Sequence, residues 1–370
     1  MFAGCKDAMK RVIGILAYVL TAAFFSVSCH EGGGRKDDIS SSSCKYARYF
    51  DISCSDGCVE IITLSPYDGR RDTVKIRQPM DNIICMSSSH IAALSSVGAD
   101  SVITAVSGLR YVTDSRLHER LLGNEVYDIG HESYPDYERI VALQPDLLVT
   151  YTVSGSQPQS VSKLRSLGIK VLVLHDHLES HPLARAEYMR LFGALTGRLH
   201  IADTVFSGIE KRYLSLCQKA DCQPLKALLN IPYGGVWYIP GEENYISRLI
   251  RDAGGMVLGA LPGTSRSQVM TIEDAYELSM KADIWLNPGN CRTIEELAAF
   301  HQLFPCFGPL YEDKPIYNNT LRTNPEGGND FYESGAMRPD LVLADLIEIF
   351  NACRTGVPVT SELNYFIQLN

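Results

Sequence analysis

An alternation of short apolar strands and helices occurs twice along the chain, once on each side of a long helical stretch. The same helix-then-strand unit is recognisable at 138–151 and again at 273–286. Strands that alternate with helices pair in parallel, because each crossover returns the chain to the same end of the sheet. Helical apolar spacing over 182–196 and 199–219, interrupted at Gly197, predicts a helical connection between two α/β halves. Two similar lobes with such a connector favour a protein that binds a large ligand between them.

The first residues have the pattern of an export signal. A basic flank that includes Arg11 precedes an apolar run over 12–25, which is shorter than the roughly 20 residues of a membrane-spanning helix. Cys29 follows small residues, as in a bacterial lipobox, although Ser26 stands where leucine is usual. We therefore predict a signal peptide over 1–28 and lipidation of Cys29. An ordinary signal peptide cleaved nearby is the alternative.

Two further segments precede the α/β part of the chain. The residues over 29–45 are rich in glycine, serine and charge, a composition typical of a flexible tether. Within 46–80, β-prone runs at 59–64 and 73–76 flank a turn cluster at 66–69. This pattern predicts a small β-hairpin extension ahead of the main fold.

Charge and cysteine content weigh against two classes of function. The formal net charge of -9 and the lack of a basic run argue against nucleic-acid binding. The chain has 11 cysteines, but the pairs Cys54/Cys58 and Cys217/Cys222 lack the second pair of ligands that a structural zinc site needs. Disulfide pairing stays open, because connectivity cannot be deduced from spacing.

Four segments resemble those of periplasmic binding proteins for vitamin B12 and siderophores, and they occur in the same order: 138–149, 168–173, 237–241 with 253–255, and 330–340. The resemblance extends over 81–350. It implies an α/β fold of two Rossmann-like lobes joined by a single long helix. The parts would be an N-terminal lobe, an interlobe helix and a C-terminal lobe, at 81–197, 198–220 and 221–370.

The resemblance also implies a function. The chain would be the substrate-binding lipoprotein of an ABC importer, anchored at the periplasmic face of a membrane. It would capture a bulky iron chelate, either a siderophore or haem, and deliver it to a permease dimer with a cytoplasmic ATPase. Cobalamin is the alternative cargo. No cofactor is implied beyond the bound ferric chelate, haem or cobalamin, and the family is typically monomeric.

One acidic residue on each lobe docks onto permease arginines in the B12-binding branch of this family. The matching positions here are Glu138 and Glu273. Exposed carboxylates on opposite rims can pair with two copies of a symmetric receptor, and such pairs orient a complex more than they tighten it. The alternative is that both carboxylates only stabilise helix N-termini through the helix dipole.

Loops that follow the strands line the ligand cleft in this family, so they supply the candidate ligand contacts. Aromatic side chains in these loops suit a macrocycle or aromatic chelator. Arginines suit ligand carboxylates or an anionic ferric complex. The candidates are Arg110, Tyr111, His131, Tyr134, Tyr151, Trp237, Arg266, Phe331, Tyr332 and Arg338.

The sequence departs from the B12-binding pattern at the positions just before the two docking glutamates. That branch has tryptophan there, whereas this chain has Glu132 in one case and Ser267 with Gln268 in the other. This departure favours an iron complex over cobalamin as the cargo.

Other functions remain open from sequence. His175 and His177 are weak candidates for zinc or manganese ligands after a strand, but the chain has no histidine-rich loop. A porphyrin-metabolising enzyme such as a chelatase is the alternative from another class. No nucleophile elbow or phosphate loop supports it, and we predict a non-enzymatic protein. A purely structural lipoprotein is the last alternative, and it would leave the aromatic loops unexplained.

Overall fold

The computed structural model describes residues 44–131, 134–152, 159–217 and 223–370. The predicted signal peptide, the lipidation site Cys29 and nearly all of the predicted tether lie outside the described residues.

The N-terminal extension is a three-stranded antiparallel sheet in the order β1-β2-β3. Its strands are β1 (Phe50–Ser55), β2 (Cys58–Leu64) and β3 (Arg71–Arg77). The predicted hairpin is confirmed as β2 and β3, and β1 adds a third strand that the sequence did not predict. Ile52, Val59 and Ile61 are buried on one face, because successive side chains of a strand point to opposite faces.

The β1–β2 register explains why Cys54 and Cys58 do not form a disulfide. Ser55 pairs with Cys58, so Cys54 and Cys58 project from opposite faces of the hairpin. Both thiols are free, as are those of the other cysteines in the described residues.

Two buried glutamates fix the start of the described chain to the body of the protein. The carboxylate of Glu187 accepts hydrogen bonds from the backbone N–H groups of Lys45, Tyr46 and Ala47 at 2.7–2.8 Å. Glu179 accepts from the next two backbone N–H groups, those of residues 48 and 49, at 2.9 and 3.1 Å. The extension is therefore mounted on the fold through its backbone as well as its apolar face.

The first α/β lobe has five parallel strands in the order β10-β9-β4-β5-β6. They are β4 (Ile83–Cys85), β5 (Ile103–Val106), β6 (Tyr127–Asp128), β9 (Leu147–Tyr151) and β10 (Val171–Leu174). A short ribbon consists of β7 (Gly130–His131) and β8 (Tyr134–Pro135). The helices are α1 (Ser88–Ser96), α2 (Ser115–Leu122), α3 (Tyr137–Leu143) and α4 (Gln159–Ser166).

The strand order of this lobe marks a binding edge. From β4 the chain adds β5 and β6 on one side, and later β9 and β10 on the other. The strand order therefore reverses between β4 and β9. In open α/β sheets, ligands bind outside the carboxyl ends of the strands at such a switch point.

A second lobe repeats this arrangement in the order β13-β11-β15-β16-β17, with only the edge strand β17 antiparallel. Its strands are β11 (Leu225–Leu229), β13 (Gly255–Val257), β15 (Ile284–Leu286), β16 (Ile316–Asn318) and β17 (Ile367–Gln368), and a separate ribbon consists of β12 (Trp237–Ile239) and β14 (Gln268–Met270). Here the order reverses between β11 and β15.

Two helices connect the sheets, α5 (Pro182–Leu195) and α6 (Leu199–Leu216). The second corresponds to the predicted interlobe helix. Almost every residue of α5 is buried, and α6 packs against it closely. Gly193 permits this approach, because a Cβ there would lie 2.7 Å from the Cβ of Ala202.

The remaining helices all belong to the second lobe. They are α7 (Tyr245–Asp252), α8 (Ile272–Ser279), α9 (Ile294–Phe300), α10 (Gly308–Tyr311), α11 (Ser334–Met337) and α12 (Pro339–Thr355). The last packs against α6. The predicted fold class, two Rossmann-like lobes with a small β extension, is confirmed. The connection, predicted as a single long helix, consists of α6 preceded by the buried helix α5.

Direct hydrogen bonds also join the lobes. The side-chain amide of Asn324 in the second lobe donates to the carbonyl oxygens of Arg110 and Val112 in the first, at 2.8 and 3.0 Å. The buried carboxylate of Glu333 accepts from the backbone N–H groups of Thr113 and Asp114, at 2.8 and 3.0 Å. These contacts hold the loop after β5 against the second lobe.

Candidate ligand-binding cleft

The lobe-1 pocket has a volume of about 260 Å³ and lies at the carboxyl ends of β4, β5 and β9. Its lining includes three of the predicted ligand contacts, Tyr111, His131 and Tyr151. Serines 87, 88 and 107 contribute hydroxyl groups to the same surface. The strand order therefore brings together side chains that are far apart in the sequence.

The lobe-2 pocket has a volume of about 550 Å³ and lies at the carboxyl ends of β11, β15 and β16. Tyr233 and the predicted contact Tyr332 line it. The lining also includes five asparagines that were not predicted as ligand contacts: Asn230, Asn287, Asn290, Asn319 and Asn329. A signal was present, since Asn230 and Asn287 each directly follow an apolar strand of an α/β unit.

Two of these asparagines also set the backbone direction. Asn230 and Asn287 have φ values of 67° and 56°, a left-handed conformation that asparagine tolerates better than most residues. This conformation turns the chain at the ends of β11 and β15. The Oδ1 atom of Asn287 is buried and has no hydrogen-bond partner among the described residues, so it is available to a bound molecule or to water.

The chain segments that line the two pockets contact each other. Tyr111 lines the lobe-1 pocket, and a Cβ at Gly328 would lie only 2.4 Å from the Tyr111 carbonyl oxygen. Gly328 directly precedes Asn329, which lines the lobe-2 pocket. The switch points of both lobes therefore open onto neighbouring surfaces.

Two predicted ligand contacts lie in the core instead, and those predictions were wrong. The Trp237 side chain is 1 % exposed, its Nε1 donates to the carbonyl oxygen of Leu229 at 2.8 Å, and its ring stacks on Trp285. Phe331 is 6 % exposed and packs edge-on against Phe366. Each residue follows a loop in sequence, but its ring turns inward to fill the second lobe.

Arg338 is also placed differently from the prediction. Its guanidinium donates two hydrogen bonds to the buried carboxylate of Asp340, at 2.9 and 3.0 Å. It lines a separate polar groove beside Ser95 and Asp114 rather than either cleft pocket. Three candidates line neither cleft pocket: Tyr134 is 87 % exposed, Arg110 lies over the ring of Tyr111 at 4.6 Å, and Arg266 lies over the ring of Tyr67 at 5.9 Å.

The docking candidates Glu138 and Glu273 are exposed in the first turns of α3 and α8. Other residues cap these helices: Asp136 accepts from a backbone N–H of α3, and a capping box of Thr271 with Asp274 begins α8. Neither glutamate has an ion-pair partner among the described residues. Neither carboxylate is therefore needed to cap its helix.

The histidines after β10 belong to a buried polar cluster. Asp176 accepts hydrogen bonds from Ser89 at 3.0 Å and Arg185 at 3.4 Å, and His90 Nε2 lies 3.7 Å from its carboxylate. Burial lowers the pKa of His175 to about 4 and also lowers that of His177. Within the described ranges, no three His, Cys, Asp or Glu side chains converge in a way that could hold a metal ion.

Fold and site together define a two-lobed binding protein whose pockets open at the carboxyl ends of two parallel sheets. The sequence profile of a family described as periplasmic binding protein matches residues 83–299. The chain belongs to the periplasmic binding protein family. Members of this family bind substrates for transport, so the chain is a binding protein and not an enzyme.

One relative is similar along most of the chain. An uncharacterized lipoprotein of Methanocaldococcus jannaschii is 25 % identical over 287 residues, which cover 75 % of this chain and 66 % of that relative. The chain thus spans slightly less than two thirds of that relative's length.

Solved structures share the fold. A periplasmic haem binding protein of Pseudomonas aeruginosa matches with a TM-score of 0.58 and 16 % identity, covering 79 % of this chain and 98 % of that one. The periplasmic vitamin B12 binding protein of Vibrio cholerae matches with a TM-score of 0.55 and 14 % identity, covering 75 % of this chain and 99 % of that one. A protein of an Fe3+-hydroxamate transport system from Saccharomonospora viridis matches with a TM-score of 0.55 and 20 % identity, covering 76 % of this chain and 97 % of that one.

Proposed function

We propose that this chain is the substrate-binding component of an ABC importer and that it captures a bulky metal chelate in the cleft between its lobes. The lobe-1 and lobe-2 pockets carry this proposal. Each lies at the carboxyl ends of its sheet, where open α/β folds bind ligands. Tyrosines from both lobes face this space and offer flat apolar surfaces with hydroxyl groups at their ends.

The lining chemistry supports a chelate whose periphery is polar but largely uncharged. Neither pocket has a lysine or arginine among its described lining residues. The adjacent loops at 132–133 and 153–158 contain none in their sequence. The one acidic lining residue, Glu296, accepts a hydrogen bond from the backbone N–H of Arg292 at 2.7 Å. Asparagine side chains carry both donors and acceptors, and the Oδ1 atom of Asn287 has no hydrogen-bond partner among the described residues.

This charge pattern orders the possible cargoes. A ferric hydroxamate presents carbonyl and amide oxygens and fits best among the iron chelates. Cobalamin, with its peripheral amides, is the second candidate. Haem carries two propionates and a ferric catecholate carries several negative charges, and such groups are usually met by arginine or lysine. Neither Arg110 nor Arg266 is among the lining residues: Arg110 lies over the ring of Tyr111, and Arg266 lies over the ring of Tyr67.

Delivery would use the two free carboxylates on the rims. Glu138 and Glu273 occupy corresponding helices of the two lobes, and we propose that each pairs with a cation on one half of a permease dimer. Since exposed charge pairs are screened by salt, this docking should weaken as ionic strength rises.

The remaining assignments follow from sequence and family. We propose that residues 1–28 are removed and that Cys29 carries the lipid that holds the protein at the periplasmic face of a membrane. The lipoprotein from Methanocaldococcus jannaschii supports this anchor. None of the helices in the described ranges combines the length and apolar character needed to cross a bilayer. The lobes would divide at the predicted boundaries of 81–197, 198–220 and 221–370.

Direct binding measurements test the proposal. The full chain, purified in detergent, is dialysed to equilibrium against a ferric hydroxamate, cyanocobalamin, haemin and a ferric catecholate, and native mass spectrometry gives the stoichiometry. We expect one-to-one binding, tightest for the hydroxamate and next for cyanocobalamin. Tightest binding of haemin or the catecholate would refute the uncharged-periphery argument, and no binding of any ligand would refute the chelate function.

A further inference from the structure

The turn between β2 and β3, residues 65–70, is a preorganised tip. It lies in the N-terminal extension, outside the residues that match the family. The backbone N–H of Ser65 donates to the carbonyl oxygen of Arg70 at 2.9 Å, and Gly69 N–H donates back to Ser65 at 2.9 Å. Asp68 accepts from the Arg70 N–H at 3.1 Å. With β2 and β3 paired below it, this tip holds its shape without a ligand.

The tip reaches the binding edge of the first lobe. The hydroxyl of Tyr67 donates to the carbonyl oxygen of Thr152 at 3.5 Å, and its ring lies edge-on to His175 with 6.2 Å between centroids. Thr152 follows β9 directly after Tyr151, which lines the lobe-1 pocket. Tyr67 therefore stands beside the carboxyl ends of β9 and β10.

The second lobe contacts the same tyrosine from the other side. The guanidinium of Arg266, in the segment before β14, lies 5.9 Å from the centre of the Tyr67 ring, within the range of a cation–π interaction. No carboxylate in the described parts of the chain forms an ion pair with Arg266. Its N–H donors are therefore available to an oxygen-bearing group of a bound molecule.

We infer that Tyr67 and Arg266 form an end wall of the cleft and help to select the cargo. In this arrangement the phenol ring packs against the face or edge of the chelate, while the guanidinium donates to one of its peripheral oxygens. The inference rests on the proposed function. It adds the N-terminal extension to the binding site, since Tyr67 lies 16 residues before the start of the family match at residue 83.

Affinities of single variants test the inference on the ligand that wild type binds most tightly. We expect Tyr67→Ala and Arg266→Ala each to weaken binding by about tenfold, and the double variant by less than the product of the two, because contacting residues are not additive. Tyr67→Phe should bind within about threefold of wild type, because the ring remains. Arg71→Ala, on the exposed start of β3, is the matched control and should bind like wild type.

The outcomes separate the inference from the function it rests on. Tyr67 is only partly buried, so the melting temperature of Tyr67→Ala should match that of the control and exclude a folding defect. If wild type binds a ligand and Tyr67→Ala binds it with equal affinity and equal preference over the other three, the end wall is refuted and the importer function stands. If wild type binds none of the four, both fall together.

Discussion

The buried carboxyl group of Glu333, which joins the two lobes, should make the stability of the protein depend on pH, and the magnitude of this effect follows from its pKa. Its carboxylate is 3 % exposed and accepts the two backbone N–H groups of the loop at 113–114. Burial raises its pKa from the ordinary 4.5 to about 7, and the backbone hydrogen bonds only partly oppose this. As pH rises through 4.5, the unfolded chain releases this proton while the folded chain keeps it. The free energy of unfolding therefore falls until the folded carboxyl ionises near pH 7.

The magnitude follows from the two pKa values. They differ by about 2.5, and each pKa unit corresponds to about 1.4 kcal/mol, so Glu333 should cost about 3 kcal/mol of stability between pH 4.5 and pH 7. Burial also raises the pKa of Glu179 to about 7, so Glu179 adds a similar dependence of its own. The difference in unfolding free energy between wild type and Glu333→Gln cancels the contribution of Glu179, because Glu179 is present in both proteins.

The assay is urea unfolding followed by circular dichroism at several pH values from 4.5 to 8. The stability of wild type minus that of Glu333→Gln should fall by about 3 kcal/mol up to pH 7 and then level off. The variant keeps one acceptor oxygen for the loop and cannot ionise. Glu326→Gln, at an exposed position of the second-lobe segment that also contains Glu333, controls for the loss of a negative charge. A difference that stays constant across this range, or rises with pH, would refute the reasoning.

Two further predictions concern the docking glutamates and Trp237, which lies in the core rather than in the cleft. The double variant Glu138→Ala/Glu273→Ala should bind cargo like wild type but support much slower uptake in cells. Glu277→Ala, on the same helix as Glu273, should transport normally. Equal uptake by the double variant and this control would contradict the docking role. Trp237→Phe should lower stability by about 1–3 kcal/mol in urea unfolding, because it leaves the buried carbonyl of Leu229 without its donor. Its cargo affinity should not change, and a large loss of affinity would return Trp237 to the cleft.

Most of the elements of the fold could be predicted from the sequence. The strands at β4, β5, β9, β10, β11 and β15, and the helices on either side of them, come from local patterns of apolar residues and from the glycines and prolines that end them. These patterns depend on neighbours within a few residues, so they survive without any knowledge of the tertiary structure. The N-terminal hairpin was predicted in the same way, while β1 was not.

The candidate site was predicted only in part. Tyr111, His131, Tyr151 and Tyr332 were predicted from the loops that line the cleft in the resembling family, and the structure does place them beside the two pockets. Trp237 has the same kind of sequence position, yet its ring lies in the core. Sequence position identifies the loop in which a side chain lies, but the packing around that loop decides whether the side chain faces the cleft or the interior.

What the sequence determined by itself is therefore the kind of protein: two α/β lobes, a helical connection, an export pattern at the N-terminus and a family resemblance. Only the tertiary structure decided which distant residues meet. Tyr67 and Arg266 are nearly 200 residues apart, and their contact depends on how the extension and the second lobe each pack against the first. Such convergence results from strand order and helix packing, which are non-local and leave no periodic trace in the chain.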